Sequence, residues 1–279
     1  MWPVPRRTTP DGQPVYSDYA IEMWLTLRMV FRQALRQTQG LMRSISKRMR
    51  LDTTVPHFTI MSRRGNGLSL APKTASETTK PVQLFVDSTG LQIFGEGEWL
   101  EEKHTTKSKR RAWRNLHLGL ELVSGEIVCS ELTADDIGDP NLLPGLLDQI
   151  GGPFEKFLAD GAYDGEPTVR ALTEHFGPLI EVTIPTPKNA VVSVVVAQKP
   201  RIRDQHITEI EAHCRMAWQK SSGYNQHSRI KTQIGRWKAV IGHKLKARTL
   251  KNHQTEAKIC VRFLNRMTEL GRPKFERNA

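Results

Sequence analysis

Asp87 and Asp160 are the residues of this chain whose setting could support chemistry. Each closes a short apolar run, Phe85-Val86-Asp87-Ser88-Thr89-Gly90 and Phe157-Leu158-Ala159-Asp160-Gly161-Ala162-Tyr163-Asp164. Runs of this kind read as strands, and ligands of open α/β sheets gather at strand ends. Carboxylates from two neighbouring strands can hold a pair of magnesium ions about 3.5–4 Å apart. One ion would activate an attacking oxygen and the other would stabilise the leaving 3′ oxygen of a phosphodiester. Oxygen donors without a Cys/His cluster favour magnesium or manganese over zinc. The plainer alternative is that each Asp caps the turn after its strand, and spacing alone leaves both readings open.

A third segment, Gly223 to Lys238, is basic. On a helix, Tyr224, His227, Lys231 and Lys238 share one face, with Arg229 and Arg236 beside them. Taken alone it says that a basic helix follows the sheet. A solvated basic face is the ordinary meaning of such a run.

The elements around these residues follow from pattern. Residues 1–16, rich in Pro, Arg and Gly, read as an unstructured lead-in. Ser17-Asp18 offers an N-cap, and Met23, Trp24, Leu27, Val30, Phe31 and Leu35 then recur at helical spacing. Gln39-Gly40 is expected to break that helix. A second stretch, Leu41–Met49, carries Arg43, Lys47 and Arg48 on its polar side, and Phe58–Arg64 makes a third short helix. Three short basic helices over 17–65 suit a helix-turn-helix-like module that contacts DNA, or a plain helical bundle. Residues 66–81 read as a linker. Beyond it, Val82–Val86 predicts a strand ending at Asp87. Trp113–Val123 and Ile127–Leu132 predict a hairpin turning at Ser124-Gly125. Pro140–Ile150 predicts a helix, Phe157–Ala159 a strand, Glu166–Phe176 a helix and Leu179–Ile184 a strand. Residues 82–279 thus read as a mixed α/β sheet with helices on its faces and a basic helical tail.

Charge supports the division. Residues 1–80 carry 13 Lys+Arg against 5 Asp+Glu, residues 81–199 carry 10 against 18, and residues 200–279 carry 18 against 6. An acidic centre therefore lies between two basic flanks within a total of +12. Carboxylates can gather divalent cations and basic flanks can gather phosphates. Cys129, Cys214 and Cys260 stand far apart with no CxxC, which argues against a zinc ribbon or disulfide framework. No apolar run approaches the roughly 18 residues of a membrane span, and Met-Trp-Pro-Val-Pro-Arg-Arg has no apolar signal core. A cytoplasmic location is expected.

Taken together, Phe85–Gly90, Trp113-Arg114-Asn115-Leu116-His117-Leu118, Ala159–Asp164 and Gly223–Lys238 resemble segments of bacterial insertion-sequence transposases. The group is the one marked by a Tyr-x2-Arg-x3-Glu-x6-Lys signature. The ending Leu264-Asn265-Arg266-Met267 with Leu270-Gly271-Arg272-Pro273 is similar to theirs, and the likeness runs from about Tyr16 to Pro273. The resemblance implies a ribonuclease H-like catalytic domain in which three carboxylates bind two magnesium (or manganese) ions. It implies cutting of double-stranded DNA at the element's terminal inverted repeats, joining to a target, and a homo-oligomer on DNA. Carried over by position, Asp87 and Asp160 are the first two carboxylates, Tyr224 the signature Tyr and Lys238 the signature Lys. Two positions depart: His227 stands for the family's Arg, and Lys231 for its catalytic Glu. A protonated lysine cannot ligate magnesium and would oppose a dication. Glu209 and Glu211 are the upstream candidates to substitute, and Asp164 is expected to support Asp160. The resemblance also leaves open a DNA-binding relic that occupies element ends without cutting. A nuclease on the same fold is a third reading.

Overall fold

The computed structural model describes residues 15–68, 70, 82–94, 113–134, 139–152, 154–193 and 201–271. Most of the expected lead-in over 1–16 and linker over 66–81 lies outside them. In chain order the first elements are α1 (Asp18–Val30), α2 (Leu35–Arg48), α3 (Phe58–Arg64), β1 (Gln83–Ile93), β2 (Trp113–Glu121) and β3 (Ile127–Ala134). Then come α4 (Leu143–Leu147), β4 (Lys156–Ala159), α5 (Glu166–Phe176), β5 (Glu181–Thr183) and α6 (Ile202–Ser221). Last are α7 (His227–Val240), β6 (Lys244–Leu245) and α8 (Leu250–Leu270). Among the described residues, α1–α3, β6 and α8 fall in one compact unit. The other unit holds most of the sheet with α4, α5, α6 and α7 through Trp237.

The helical unit begins as its sequence directs. Ser17 Oγ accepts the Ala20 N–H at 3.1 Å, satisfying one of the orphan donors of the first turn. The break between α1 and α2 falls earlier than Gln39-Gly40. Arg32 takes a left-handed φ of 51°, and α2 restarts with the Gln37 side chain accepting the Ala34 N–H at 3.1 Å. Gly40 lies inside α2. A helical glycine costs about 1 kcal/mol against alanine, too little to end a helix that buries Thr38, Gln39 and Met42. Met23, Val30 and Phe31 stay exposed, while Ala20, Ile21, Trp24, Leu25 and Met29 form the buried stripe. In the same unit, Arg262 of α8 forms an ion pair with Glu22 of α1.

The other unit is built on strands in the order β3-β2-β1-β4-β5. β2 and β3 form the expected antiparallel hairpin, whereas β4 runs parallel to both β1 and β5. The result is a mixed sheet with flanking helices. Along β2 the residues from Leu116 to Glu121 are all buried, so both faces of the strand are covered. Gly119 is required there, because a Cβ would stand 2.2 Å from the Cys129 sulfur opposite it. The expected helix over Pro140–Ile150 is replaced by a 3-10 turn, Asp139–Leu142, and the short α4. Proline fits only the first turn of a helix, so Pro144 restarts it. The core gathers Leu84, Val86, Phe157, Ala159, Tyr163, Leu172 and Val182 with the leucines of α4.

Candidate active site

Val86 of β1 and Ala159 of β4 are partners in a parallel ladder. The next residue on each chain is an aspartate, so Asp87 and Asp160 leave the same level of two adjacent strands, about 4.8 Å apart at the backbone. Their surroundings differ. Asp87 lies inside β1, which runs on to Ile93, so the strand end expected at Asp87 does not occur. The reason is pairing: beyond Asp87 the strand gains a second parallel partner, with Gln92 and Ile93 against Lys244 and Leu245. Asp160 does follow the end of β4, where its Oδ1 accepts the Ala162 N–H at 3.1 Å and caps a 3-10 turn. Asp87 is buried and Asp160 half-buried.

Side chains alternate faces along a strand, so Phe85 and Asp87 share one. Against that face lies an aromatic wall. His227 stacks on Phe85 with ring centroids 5.0 Å apart and on Tyr224 at 5.2 Å. Tyr224 in turn meets Trp218 at 5.5 Å. His227 Nε2 comes within 3.7 Å of Asp87 Oδ2, too far for a hydrogen bond, and this buried nitrogen has no hydrogen-bond partner. Asp87 Oδ1 accepts the Ser88 N–H at 2.8 Å. Burial pushes the Tyr224 phenol up to about 12, with the charges of Asp160 and Asp87 adding to it and that of Arg215 opposing. Both carboxylates therefore lie within Coulombic reach of one phenol, which stays protonated at neutral pH.

Trp218 is held from α6 by a fold in the helix. Cys214 takes φ 64° and ψ 158°, a region that costs a non-glycine residue about 1–3 kcal/mol. There α6 turns back on itself. Trp218 Nε1 donates to His206 Nδ1 at 3.1 Å and Ser221 Oγ to Glu209 Oε1 at 2.6 Å. These pairs would stand about 18 Å apart on a straight helix. His206 must carry its proton on Nε2, which donates to the Val182 carbonyl at 2.9 Å. Phe85, Trp218 and Arg215 escape a search for chemical groups. The period-two spacing of Phe85 from Asp87 is the one signal that could have found any of them.

The remaining expected residues spread out. Tyr224 sits in a 3-10 turn that opens at Gly223 (φ 73°), ahead of α7. Lys231 is exposed one turn beyond His227, and no ion pair or hydrogen bond joins it to Asp87 or Asp160. Ile230 and Trp237 are the buried residues of α7. Arg229 donates to the Leu122 carbonyl at 2.5 Å and Gln233 to that of Gly125 at 3.3 Å, tying α7 to the hairpin turn. Arg236 and Lys238 are half-buried. Arg43, Lys47 and Arg48 are exposed on α2, with no ion pair among the described residues. Asp164 is taken by Arg203, whose Nε lies 3.0 and 3.2 Å from its two carboxylate oxygens. Glu209 is tied to Ser221, and Glu211 is exposed.

Two family matches bear on this arrangement. A transposase DDE domain matches residues 1–96, and a second transposase DDE domain matches residues 78–267, more than half of the chain. The chain belongs to the DDE transposases. The mixed sheet with flanking helices and the N-terminal helices of this transposase domain are those the sequence pattern led one to expect. Among solved structures, it is similar to a chain of the Drosophila P element transposase strand transfer complex. The identity is 11% over 90% of this chain and 65% of that one, with a TM-score of 0.33. It is also similar to a chain of the simian T-cell lymphotropic virus intasome in complex with PP2A regulatory subunit B56 gamma. There the identity is 10% over 73% of this chain and 64% of that one, with a TM-score of 0.27. A pre-cleavage Mos1 transpososome matches at 10% identity over 98% of this chain and 84% of that one, with a TM-score of 0.23. The transposase domain thus spans just under two thirds of the first two of these chains, and likeness at such scores adds nothing to the family match.

The residues present fit divalent cations of the kind DDE transposases use. Magnesium is commonly held by one or two carboxylates, with water and substrate phosphate completing its shell. Asp87 and Asp160 on adjacent strands match that requirement. Among the described residues, no three His, Cys, Asp or Glu side chains form a ready metal cluster. No helix among them is long and apolar enough to cross a membrane.

Proposed function

We propose that this chain is an insertion-sequence transposase that binds the terminal inverted repeats of its element as a homo-oligomer in the cytoplasm. It would cut the DNA strands there and join them to a target. The observation that carries this reading is the parallel register Val86–Ala159, which sets two aspartates side by side on adjacent strands. Asp87 and Asp160 are the metal-binding pair. Two bound magnesium or manganese ions would supply an activated oxygen nucleophile and stabilise the leaving 3′ oxygen. The chain's own part is to hold donors in place. The Ser88 N–H fixes one oxygen of Asp87 and leaves Oδ2 for a cation. The Ala162 N–H fixes Oδ1 of Asp160. The protonated Tyr224 phenol, against the aromatic wall, limits water around both.

Lys231 replaces the third carboxylate, so this copy cuts weakly. An exposed ammonium one turn from His227 supplies no ligand and repels a dication approaching that edge. Arg43, Lys47 and Arg48 on the N-terminal helices are one group of DNA contacts; Tyr224, His227, Arg229, Arg236 and Lys238, in and before α7, are another. The test is magnesium- and manganese-dependent nicking of duplex DNA carrying the element's ends. Lys231→Glu should raise cleavage by orders of magnitude, with His227→Arg added if the single change falls short. Robust cleavage by the parent would refute the impairment and make Glu209 and Glu211 the next residues to mutate. The second reading, a relic that occupies element ends without cutting, is favoured by Lys231 itself. It would stand if both variants bind DNA, keep the fold and fail to cut.

A further inference from the structure

We propose that His227 is a metal-binding residue, joining Asp87 in a mixed nitrogen and oxygen site that takes a divalent cation tolerant of imidazole. The inference rests on reading Asp87 as a metal-binding carboxylate, and concerns what stands beside it. His227 Nε2 and Asp87 Oδ2 face each other across 3.7 Å. Two donors on one ion, with bonds of about 2.1 Å at octahedral to tetrahedral angles, stand roughly 3.0–3.4 Å apart. The observed gap is a few tenths of an ångström wider than that. It is too wide for the hydrogen bond that would otherwise satisfy the nitrogen.

The nitrogen needs a partner. It is buried and none is present, and buried polar atoms in proteins are rarely left so. Its ring is packed against both Phe85 at 5.0 Å and Tyr224 at 5.2 Å, which also touch each other at 6.2 Å, so the three rings form one cluster that restrains it. Lys231 does not fill the gap, being exposed and unpaired with either aspartate. An imidazole therefore stands beside the aspartate, on the signature segment in which the third carboxylate is lost. Such a donor changes the preferred metal. Imidazole suits iron, nickel, copper and zinc, with cobalt falling between iron and nickel in affinity, whereas carboxylate and water suit magnesium. Two protein donors suffice when water and a scissile phosphate complete the shell.

The experiment is a calorimetric titration of the full chain with Co2+ and separately with Mg2+. It compares the parent with His227→Phe, which keeps a ring against Phe85 and Tyr224, and with Asp87→Asn. Melting curves report the fold, and His227→Gln replaces the Phe variant if that one does not fold. The parent should bind one Co2+, and loss of the imidazole should weaken it about tenfold or more while leaving Mg2+ affinity nearly unchanged. Co2+ affinity equal to the parent's in a folded His227 variant would overturn the proposal, as would a parent that binds no Co2+. If Asp87→Asn removes binding and the His227 variant does not, only the role of His227 falls. If Asp87→Asn changes neither metal, the reading of the aspartates falls with it.

Discussion

Two buried carboxylates, one in each unit, are treated in opposite ways. Glu256 in α8 is 5% exposed and fully engaged. Its oxygens accept the Lys246 N–H at 2.9 and 3.2 Å and the Ala247 N–H at 2.8 Å. The charges of Glu256 and Arg28 both act on Lys246 and on Cys260, so cation and anion share one neighbourhood. Asp87 in β1 is 7% exposed, yet it accepts one N–H, from Ser88, and faces a histidine nitrogen beyond bonding distance. A buried charge with all its hydrogen bonds made locks structure in place. A buried carboxylate left short of them keeps capacity for a ligand.

Four measurements test this contrast. The largest effect is expected on catalysis. In a Lys231→Glu background, Asp87→Asn should cut metal-dependent nicking by about 100-fold or more, since two-metal cleavage fails when an ion is not held. An Asp87→Asn protein that nicks at the undiminished rate would assign the cleavage to other groups. Next is stability. Glu256→Ala strands the Lys246 and Ala247 N–H groups and should cost about 2–4 kcal/mol in urea unfolding. Asp87→Asn should cost under about 1 kcal/mol, and equal losses for the two would erase the distinction.

A third measurement asks whether the exposed cations of α2 act outside the site. Replacing Arg43, Lys47 and Arg48 by alanine should lower the slope of log K against log salt for duplex DNA by up to about 2.7, at about 0.9 for each phosphate no longer neutralised. Asp87→Asn should leave that slope alone. An unchanged slope in the triple variant would take α2 out of the interface. The smallest effect concerns Asp204, a third buried carboxylate and one that is fully bonded. The Ser193 N–H and hydroxyl, each at 2.8 Å, hold its carboxyl below the ordinary value of 3.8. Because the folded value is depressed, its stabilisation is complete above the unfolded value and fades as pH falls through the folded one. Urea midpoints taken from pH 6 down to pH 2 should therefore decline less for Asp204→Asn than for the parent below about pH 4. Parallel curves would show that the Ser193 bonds carry no net weight.

Much of the architecture was legible because it is local. Ser17 caps α1, the hairpin turns at Ser124-Gly125, and α5 spans Glu166–Phe176 as its pattern requires. Each depends on residues a few positions apart. The two aspartates were legible for the same reason, since an apolar run ending in Asp is a local signal. Gly40 and Pro144 misled where a short-range preference worth about 1–3 kcal/mol met tertiary burial or a positional rule.

The order of residues therefore set which faces are apolar, where about half of the elements start, that basic flanks enclose an acidic centre, and that Lys231 stands where a carboxylate is expected. Long-range packing settled what covers each face. It continued β1 past Asp87 by giving Gln92 and Ile93 a second partner. It joined α1 to α8 through Glu22 and Arg262, 240 positions apart, and folded α6 at Cys214 to bring Trp218 back to His206. It set His227 against both Phe85 and Tyr224 and left Lys231 in solvent. The physical reason is one of range. Periodicity records the burial of a residue but not the identity of its neighbour, and the neighbour of Asp87 is set by the packing of a strand against a segment 140 residues away.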